Sequence, residues 1–127
     1  MFKFNLIMGV VLGASLGALF RWWLSVKFNH VNEHFFLGTL LANVIACSLM
    51  GLLLGYEAGE SMIQNTLRIA IFTGFLGSLS TFSTFISETH SHMLLKDWFK
   101  LLIAFNLQIV LGLLSFHLAK IVGSTLH

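Results

Sequence analysis

Residues 71–88 read IFTGFLGSLSTFSTFISE, and this stretch decides the architecture of the chain. Most of it belongs to an uncharged run of 19 residues, 69–87. This length falls within the roughly 17 to 25 residues that cross a bilayer as helix. Two glycines and seven hydroxyl residues are concentrated in it, and the chain has no proline. A break in this helix therefore has to come from glycine and from hydroxyl side chains that compete for backbone groups. The composition favours a helix broken near 75–81 over a continuous helix with hydroxyls bonded back one turn.

Three further uncharged runs of membrane-crossing length flank this stretch, at residues 4–20, 34–56 and 101–119. Charged residues make up only 9% of the 127, against roughly 25% in a soluble domain. We therefore predict an all-α integral membrane protein, a single membrane domain over residues 1–127. Its four transmembrane helices are expected at 4–27, 35–56, 66–95 and 98–121. Little chain remains for a soluble domain, and no basic patch is dense enough to indicate nucleic acid.

The positive charges give almost no instruction on orientation in the membrane. Four spans place Lys3, Arg68 and Lys120 on one side, and they place the other four on the opposite side: Arg21, Lys27, Lys96 and Lys100. Either one flanking charge dominates and the chain inserts one way, or the chain inserts both ways. In the second case two copies pair as an antiparallel, dual-topology homodimer with an isologous interface.

Small residues mark the packing faces of the helices. Glycines at positions 9, 13 and 17 recur every four residues, a spacing that lets another helix approach closely. In the second helix Asn43 shares a face with small residues, and in the fourth helix Gln108 does so. A lone amide in an apolar helix needs a partner, so Asn43 either forms an interhelical hydrogen bond or serves the function directly.

Phe82 and Phe85 lie three residues apart and share a helical face, with Ser83 and Thr84 beside them. Such rings usually pack against lipid or the core. The edge of an aromatic ring is positive, however, so rings presented edge-on attract an anion without supplying a formal charge. Together with the amide of Asn43 they form a lining rich in donors and nearly free of charge, which suits passage of a small anion.

Three stretches resemble the signatures of the Fluc (CrcB) fluoride channel family: GASLGALFRW at 13–22, GTLLANVIAC at 38–47 and GFLGSLSTFSTF at 74–85. The resemblance implies a passive, fluoride-selective channel in the bacterial plasma (inner) membrane. Such a channel exports fluoride to lower its cytoplasmic level, and it is not an enzyme. The resemblance also implies an antiparallel homodimer with two pores and one structural sodium ion.

By position in the family pattern, the sodium ligands would be the backbone carbonyls of Gly77 and Ser80. The same positions assign the fluoride pathway to six side chains: Asn43, Phe82, Phe85, Ser83, Thr84 and Arg21. In the fourth helix the chain departs from the family, because it has Phe105, Ile109 and Leu113 where many members have tyrosine and small hydroxyl residues. Gln108, Asn106 or Ser115 are the candidates to replace that polar track.

Two other classes of protein share features with this sequence. A small multidrug exporter is also a four-helix antiparallel dimer, but it needs a carboxylate in the first helix, and residues 4–20 contain none. His90 and His92 suggest a metal-dependent enzyme, but they have no third ligand at a useful spacing. We expect these two histidines to be solvated.

Overall fold

The computed structural model describes residues 3–30, 36–57 and 64–126, and within these ranges every regular element is helical. Four helical spans are long and apolar enough to cross a membrane. They are α1 (Phe4–Phe28), α2 (Leu37–Glu57), a third span (Asn65–Leu94) and a last helix (Trp98–Ser124). The prediction of an all-helical chain with four membrane-crossing segments is confirmed.

The third span is assembled from several pieces. It begins with α3 (Asn65–Ile69), continues as a π-helical segment (Ala70–Leu76) and then a short α4 (Gly77–Leu79). Ser80 and Thr81 have extended backbone, with ψ of 149° and 119°, and α5 (Phe82–Leu94) follows. The last helix of the chain, Trp98–Ser124, is α6. The helical path through the span thus changes twice, at the π-helical segment and at Ser80–Thr81.

The first half of the third span packs closely against α1. A Cβ placed on Gly13 would lie 2.2 Å from the carbonyl oxygen of Ala70, and one on Gly17 would lie 2.2 Å from that of Phe75. Because the contacts advance along both segments in the same direction, the two run parallel. The glycines at four-residue spacing therefore serve the close helix approach that the sequence indicates.

Helices α2 and α6 form a second parallel pair. Gly51 lies against the carbonyl of Phe116 and Gly55 against that of Lys120, where an added Cβ would be 2.2 and 2.1 Å away. A hydrogen bond between Asn43 and Gln108 continues the same row, so contacting residues differ by 65 positions at each level. This constant register brings the small face of α2 onto the small face of α6.

Helix α5 leaves the first pair and joins the second. Its Phe85 ring lies 5.5 Å from the ring of Phe105 on α6, and its Glu88 accepts a hydrogen bond from Thr39 on α2. The break at Ser80–Thr81 is the point where the third span passes from one pair to the other. The candidate functional site lies around this crossing.

Candidate ion pathway at the break in the third span

The amide of Asn43 pairs with both backbone groups of Thr81. The N–H of Thr81 donates to Oδ1 of Asn43 at 2.8 Å, and Nδ2 of Asn43 donates to the Thr81 carbonyl at 3.3 Å. At membrane depth no bulk water is present to satisfy them, and each unpaired group costs several kcal/mol. Asn43 therefore makes the extended backbone at Thr81 tolerable inside a span.

Thr81 also starts the helix that follows. Its Oγ1 accepts a hydrogen bond from the N–H of Thr84 at 3.2 Å, which is the contact of a helix N-cap. The same hydroxyl donates to Oγ1 of Thr84 at 3.0 Å and lies 3.4 Å from that of Ser83. The hydroxyl residues of this stretch thus form one local network that fixes the first turn of α5.

The carbonyls on the other side of the break are left open. The last carbonyls of an α-helix have no intrahelical partner. At the end of α4, Leu76 O accepts both the N–H and the hydroxyl of Ser80, at 3.1 Å each. In the described part of the chain, the hydrogen bonds outside regular helix include none to the carbonyls of Gly77 or Ser80, and both residues are exposed.

The two phenylalanines after the break differ in exposure. Phe82 is 73% exposed and Phe85 is 7% exposed, with ring centroids 6.1 Å apart and planes inclined by 56°. Both rings line an open groove of about 350 Å³ that has no charged side chain in its lining. The groove is lined by Asn43, Cys47, Ser80, Thr81, Phe82, Phe85, Phe105, Gln108 and Ile109.

Of the three candidates for a polar track in the fourth helix, Gln108 is the one that lines the groove. Asn106 is exposed and bonds back to its own helix at Leu102, and Ser115 bonds to Gly112. Gln108 lines the groove and accepts from Nδ2 of Asn43 at 3.2 Å. Both N–H groups of Asn43 are then in use, while those of Gln108 have no acceptor within the described residues.

The structure brings together most of the residues that the sequence singled out. Asn43, Phe82 and Phe85 line the groove directly, and Ser83 and Thr84 reach it through Thr81. Arg21 is half-buried within α1 and does not line this groove.

A smaller cavity of about 30 Å³ adjoins the groove and shares Phe85 and Gln108 with it. Its lining includes Glu88 and His92. The expectation that His92 is solvated is wrong, since the residue is only 4% exposed, whereas His90 is exposed as predicted. The reason is that α5 runs on to Leu94 and places His92 on the same face as Glu88, one turn earlier.

Fold and site together define a helical membrane protein with an uncharged, donor-bearing groove at a helix break. Residues 8–120 match the family model described as CrcB-like protein, Camphor Resistance (CrcB), and the chain belongs to this family. It is 41% identical over 86 residues to a Fluoride-specific ion channel FluC of Pasteurella multocida, covering 68% of this chain and 67% of the relative.

Two further bacterial relatives carry the same name. The protein of Pseudomonas aeruginosa is 44% identical over 85 residues, 67% of each chain. That of Mannheimia succiniciproducens is 35% identical over 106 residues, 84% of this chain and 76% of the relative. The family that the three sequence stretches indicate is confirmed, and with its four spans the chain is a multi-pass bacterial membrane protein.

Proposed function

We propose that the chain forms a fluoride-selective channel that exports fluoride passively and so lowers its cytoplasmic level. The relatives carry the name of a fluoride-specific channel and not of an enzyme. The observation that carries the proposal is the uncharged groove at the break, lined by amide donors and phenylalanine rings. A conducting site has to replace the water around an ion and still release it, and neutral donors do this without the deep trap of a fixed positive charge.

In this mechanism Gln108 donates directly to the ion, since its amide N–H groups are unmatched and it lines the groove. The rings of Phe82 and Phe85 add their positive edges, and the hydroxyls of Ser83 and Thr84 continue the path along α5. Asn43 donates to fluoride when the ion replaces Gln108 as its acceptor. Meanwhile Oδ1 of Asn43 still accepts the hydrogen bond from the Thr81 N–H and holds the extended backbone in place.

The functional unit is an antiparallel, dual-topology homodimer. A single chain leaves Phe82 73% exposed, beside the open carbonyls of Gly77 and Ser80. Irregular backbone that faces lipid at this depth is not tolerated, so a second copy is needed to cover it. The nearly level count of Lys and Arg on the two sides allows the two orientations that such a pair requires.

The carbonyls of Gly77 and Ser80 from both copies would hold one structural sodium ion. Unwound backbone carbonyls are the ligands that sodium takes in broken membrane helices, and these two accept none of the backbone hydrogen bonds that the described chain makes outside its regular helices. The ion adds positive charge at the crossing. Arg21, half-buried on α1, contributes an electropositive vestibule that concentrates anions near the pore mouth.

Fluoride efflux from liposomes that contain the purified protein tests the function. Fluoride should leave rapidly and chloride scarcely at all, and Phe82→Ile or Phe85→Ile should reduce the fluoride flux roughly tenfold, as expected for a lost ring-edge contact. Phe99→Ile is the matched control, because Phe99 is 75% exposed on α6 and lines neither cavity. Chloride efflux as fast as that of fluoride would contradict the channel.

A proton-coupled exporter of the multidrug type is the competing function, although the carboxylate of Glu88 lies in the third span and not in the first helix, where such an exporter needs one. The same liposomes distinguish the two. A channel carries fluoride down its gradient at equal internal and external pH, whereas an exporter of the multidrug type transports only when a proton gradient is present.

Dimer and sodium are tested together by light scattering and thermal unfolding in detergent. Exchange of sodium for N-methylglucamine should lower the melting temperature of the dimer, because a ligand that binds only the assembled state stabilises it. A conducting monomer, or a melting temperature indifferent to this exchange, would rule out that part of the proposal.

A further inference from the structure

His92 has a buried nitrogen without a partner in the cavity next to the groove. Its Nε2 has no hydrogen bond within the described chain, and the residue is 4% exposed. Phe36 covers the imidazole, with ring centroids 5.7 Å apart. A buried nitrogen that gives up water without gaining a partner is costly, so such groups in native proteins are normally satisfied by protein, water or a ligand.

Two of the side-chain oxygens around this cavity are already engaged. Oε1 of Glu88 accepts from Thr39, and Oε1 of Gln108 accepts from Asn43. The hydroxyl of Thr89 is turned to its own helix, where it donates to the Phe85 carbonyl at 2.8 Å. Gln108 keeps free N–H groups, and Nε2 of His92 is a second donor in the tautomer that carries its proton there. A small acceptor bound in the cavity would match both of these donors.

The cavity has the size and the position for a single ion on the route. Its volume of about 30 Å³ exceeds the roughly 10–15 Å³ that one water molecule needs, and fluoride is similar to water in size. Phe85 and Gln108 line both the groove and the cavity. An ion that binds Gln108 in the groove can thus move past the Phe85 ring into the cavity while it stays hydrogen-bonded to Gln108.

We propose that this cavity is a second fluoride station, in which Nε2 of His92 and the amide of Gln108 donate to the ion after it has passed Phe85. The proposal rests on the proposed channel function. It explains the unmatched nitrogen on α5, the free amide on α6 and the continuity of the two cavities through shared residues.

Glu88 keeps this station weak. Its carboxylate lines the same cavity and repels an anion, although the hydrogen bond from Thr39 offsets part of that charge. Conduction needs sites that bind well enough to admit the ion and poorly enough to release it. Two donors beside one carboxylate meet both conditions, and the ion leaves toward the end of α5.

Substitutions at position 92 distinguish a hydrogen-bond donor role of His92 from a role in packing alone. In fluoride efflux from liposomes, His92→Leu should reduce the rate about tenfold or more, the effect of losing a hydrogen bond to a charged group. His92→Gln should retain most of the rate, because its amide donates. His90→Leu is the matched control, since His90 is exposed on the same helix, and it should behave as wild type.

A binding measurement on the unmodified protein complements the variants. With ¹⁵N-labelled imidazoles, the His92 resonance, assigned through His92→Gln, should shift saturably when sodium fluoride is added and stay in place with sodium chloride. This readout holds even if His92→Leu fails to fold. A resonance that does not respond to fluoride overturns the station.

The outcomes also distinguish a failure of the second station from a failure of the proposed channel function. If wild-type protein releases fluoride and folded His92→Leu releases it equally fast, the station is wrong and the channel stands. If wild-type protein releases no fluoride, the channel itself is wrong, and the station falls with it.

Discussion

The two parallel helix pairs are built by the same packing device and differ in what they enclose. In the pair of α1 with the π-helical segment, Gly17 lies against a backbone carbonyl; in the pair of α2 with α6, Gly51 does the same. Within the described residues, only the second pair has a hydrogen bond between side-chain amides of its two helices, from Asn43 to Gln108, and of the two pairs only this one lines the groove. Both pairs thus use close helix approach. The two amides are what make the second pair part of the candidate ion pathway, whereas the first pair serves packing.

The difference has a physical reason. Between helices in a membrane, van der Waals packing of small residues suffices for association, and no hydrophobic force acts between them. A polar pair adds a modest net gain, but it requires every N–H and carbonyl in the neighbourhood to be matched. The second pair meets this requirement by placing Asn43 opposite Thr81, where the third span has lost its helical bonds.

The largest effect is expected from removing the amide that distinguishes the second pair. Asn43→Leu leaves the N–H and carbonyl of Thr81 without partners at membrane depth, where each costs several kcal/mol. We expect loss of folded protein, seen as aggregation in size-exclusion chromatography, and no fluoride flux. Asn106→Leu is the control: this amide is exposed and bonds only within α6, so folding should be unchanged. A folded, conducting Asn43→Leu variant would show that Asn43 is not the residue that stabilises the break at Thr81.

The feature that both pairs share predicts an intermediate effect. An added methyl at Gly17 or Gly51 would lie 2.2 Å from a carbonyl oxygen, so the helices must separate. Gly17→Ala and Gly51→Ala should each cost about 1–3 kcal/mol, measured as a lower melting temperature in detergent.

Gly112→Ala is the matched control in the second pair, because its methyl would meet only Sγ of Cys47, at 3.6 Å. It should melt as the wild type does. Equal losses at positions 51 and 112 would mean that the close approach of α2 and α6 is not what Gly51 provides.

Four membrane spans were predictable because bilayer thickness limits run length, and uncharged runs can be counted in a sequence. The small faces of α2 and α6 were also visible, but not that they meet, since a register of 65 residues exists only in three dimensions. The π-helical segment Ala70–Leu76 was missed because apolar periodicity does not distinguish it from an α-helix. The sodium ligands and the second copy remain predictions.

His92 shows where local reasoning failed. It follows the uncharged run, and a histidine beyond an apolar segment is usually solvated. The predicted span, 66–95, already included His92, and the missing information was which face of this helix packs on α6. The spacing of Glu88 and His92, one turn apart, was the available signal that they share a face. Which face that would be depended on the break, because Ser80 and Thr81 reset the helical phase.

The smallest effect is expected in the turn that joins α5 to α6, which belongs to neither pair. Asp97 caps α6 by accepting the N–H of Lys100 at 3.3 Å, and it forms an ion pair with the ammonium of that residue at 2.9 Å. The side-chain hydrogen bond from Lys100 lowers the pKa of Asp97. The stabilising contribution is therefore complete near neutral pH, above the ordinary value, and it is lost as the pH falls through the lowered pKa.

Asp97→Ala should lower the melting temperature slightly at pH 7, by less than Gly51→Ala, and leave fluoride flux intact. The deficit relative to wild type should shrink on acidification below the ordinary aspartate pKa of about 3.9, because the wild-type carboxylate then loses its charge as well. Asp97→Asn retains an acceptor for the helix cap and should fall between the two. A deficit that is constant across this pH range would assign the role of Asp97 to its shape and not to its charge.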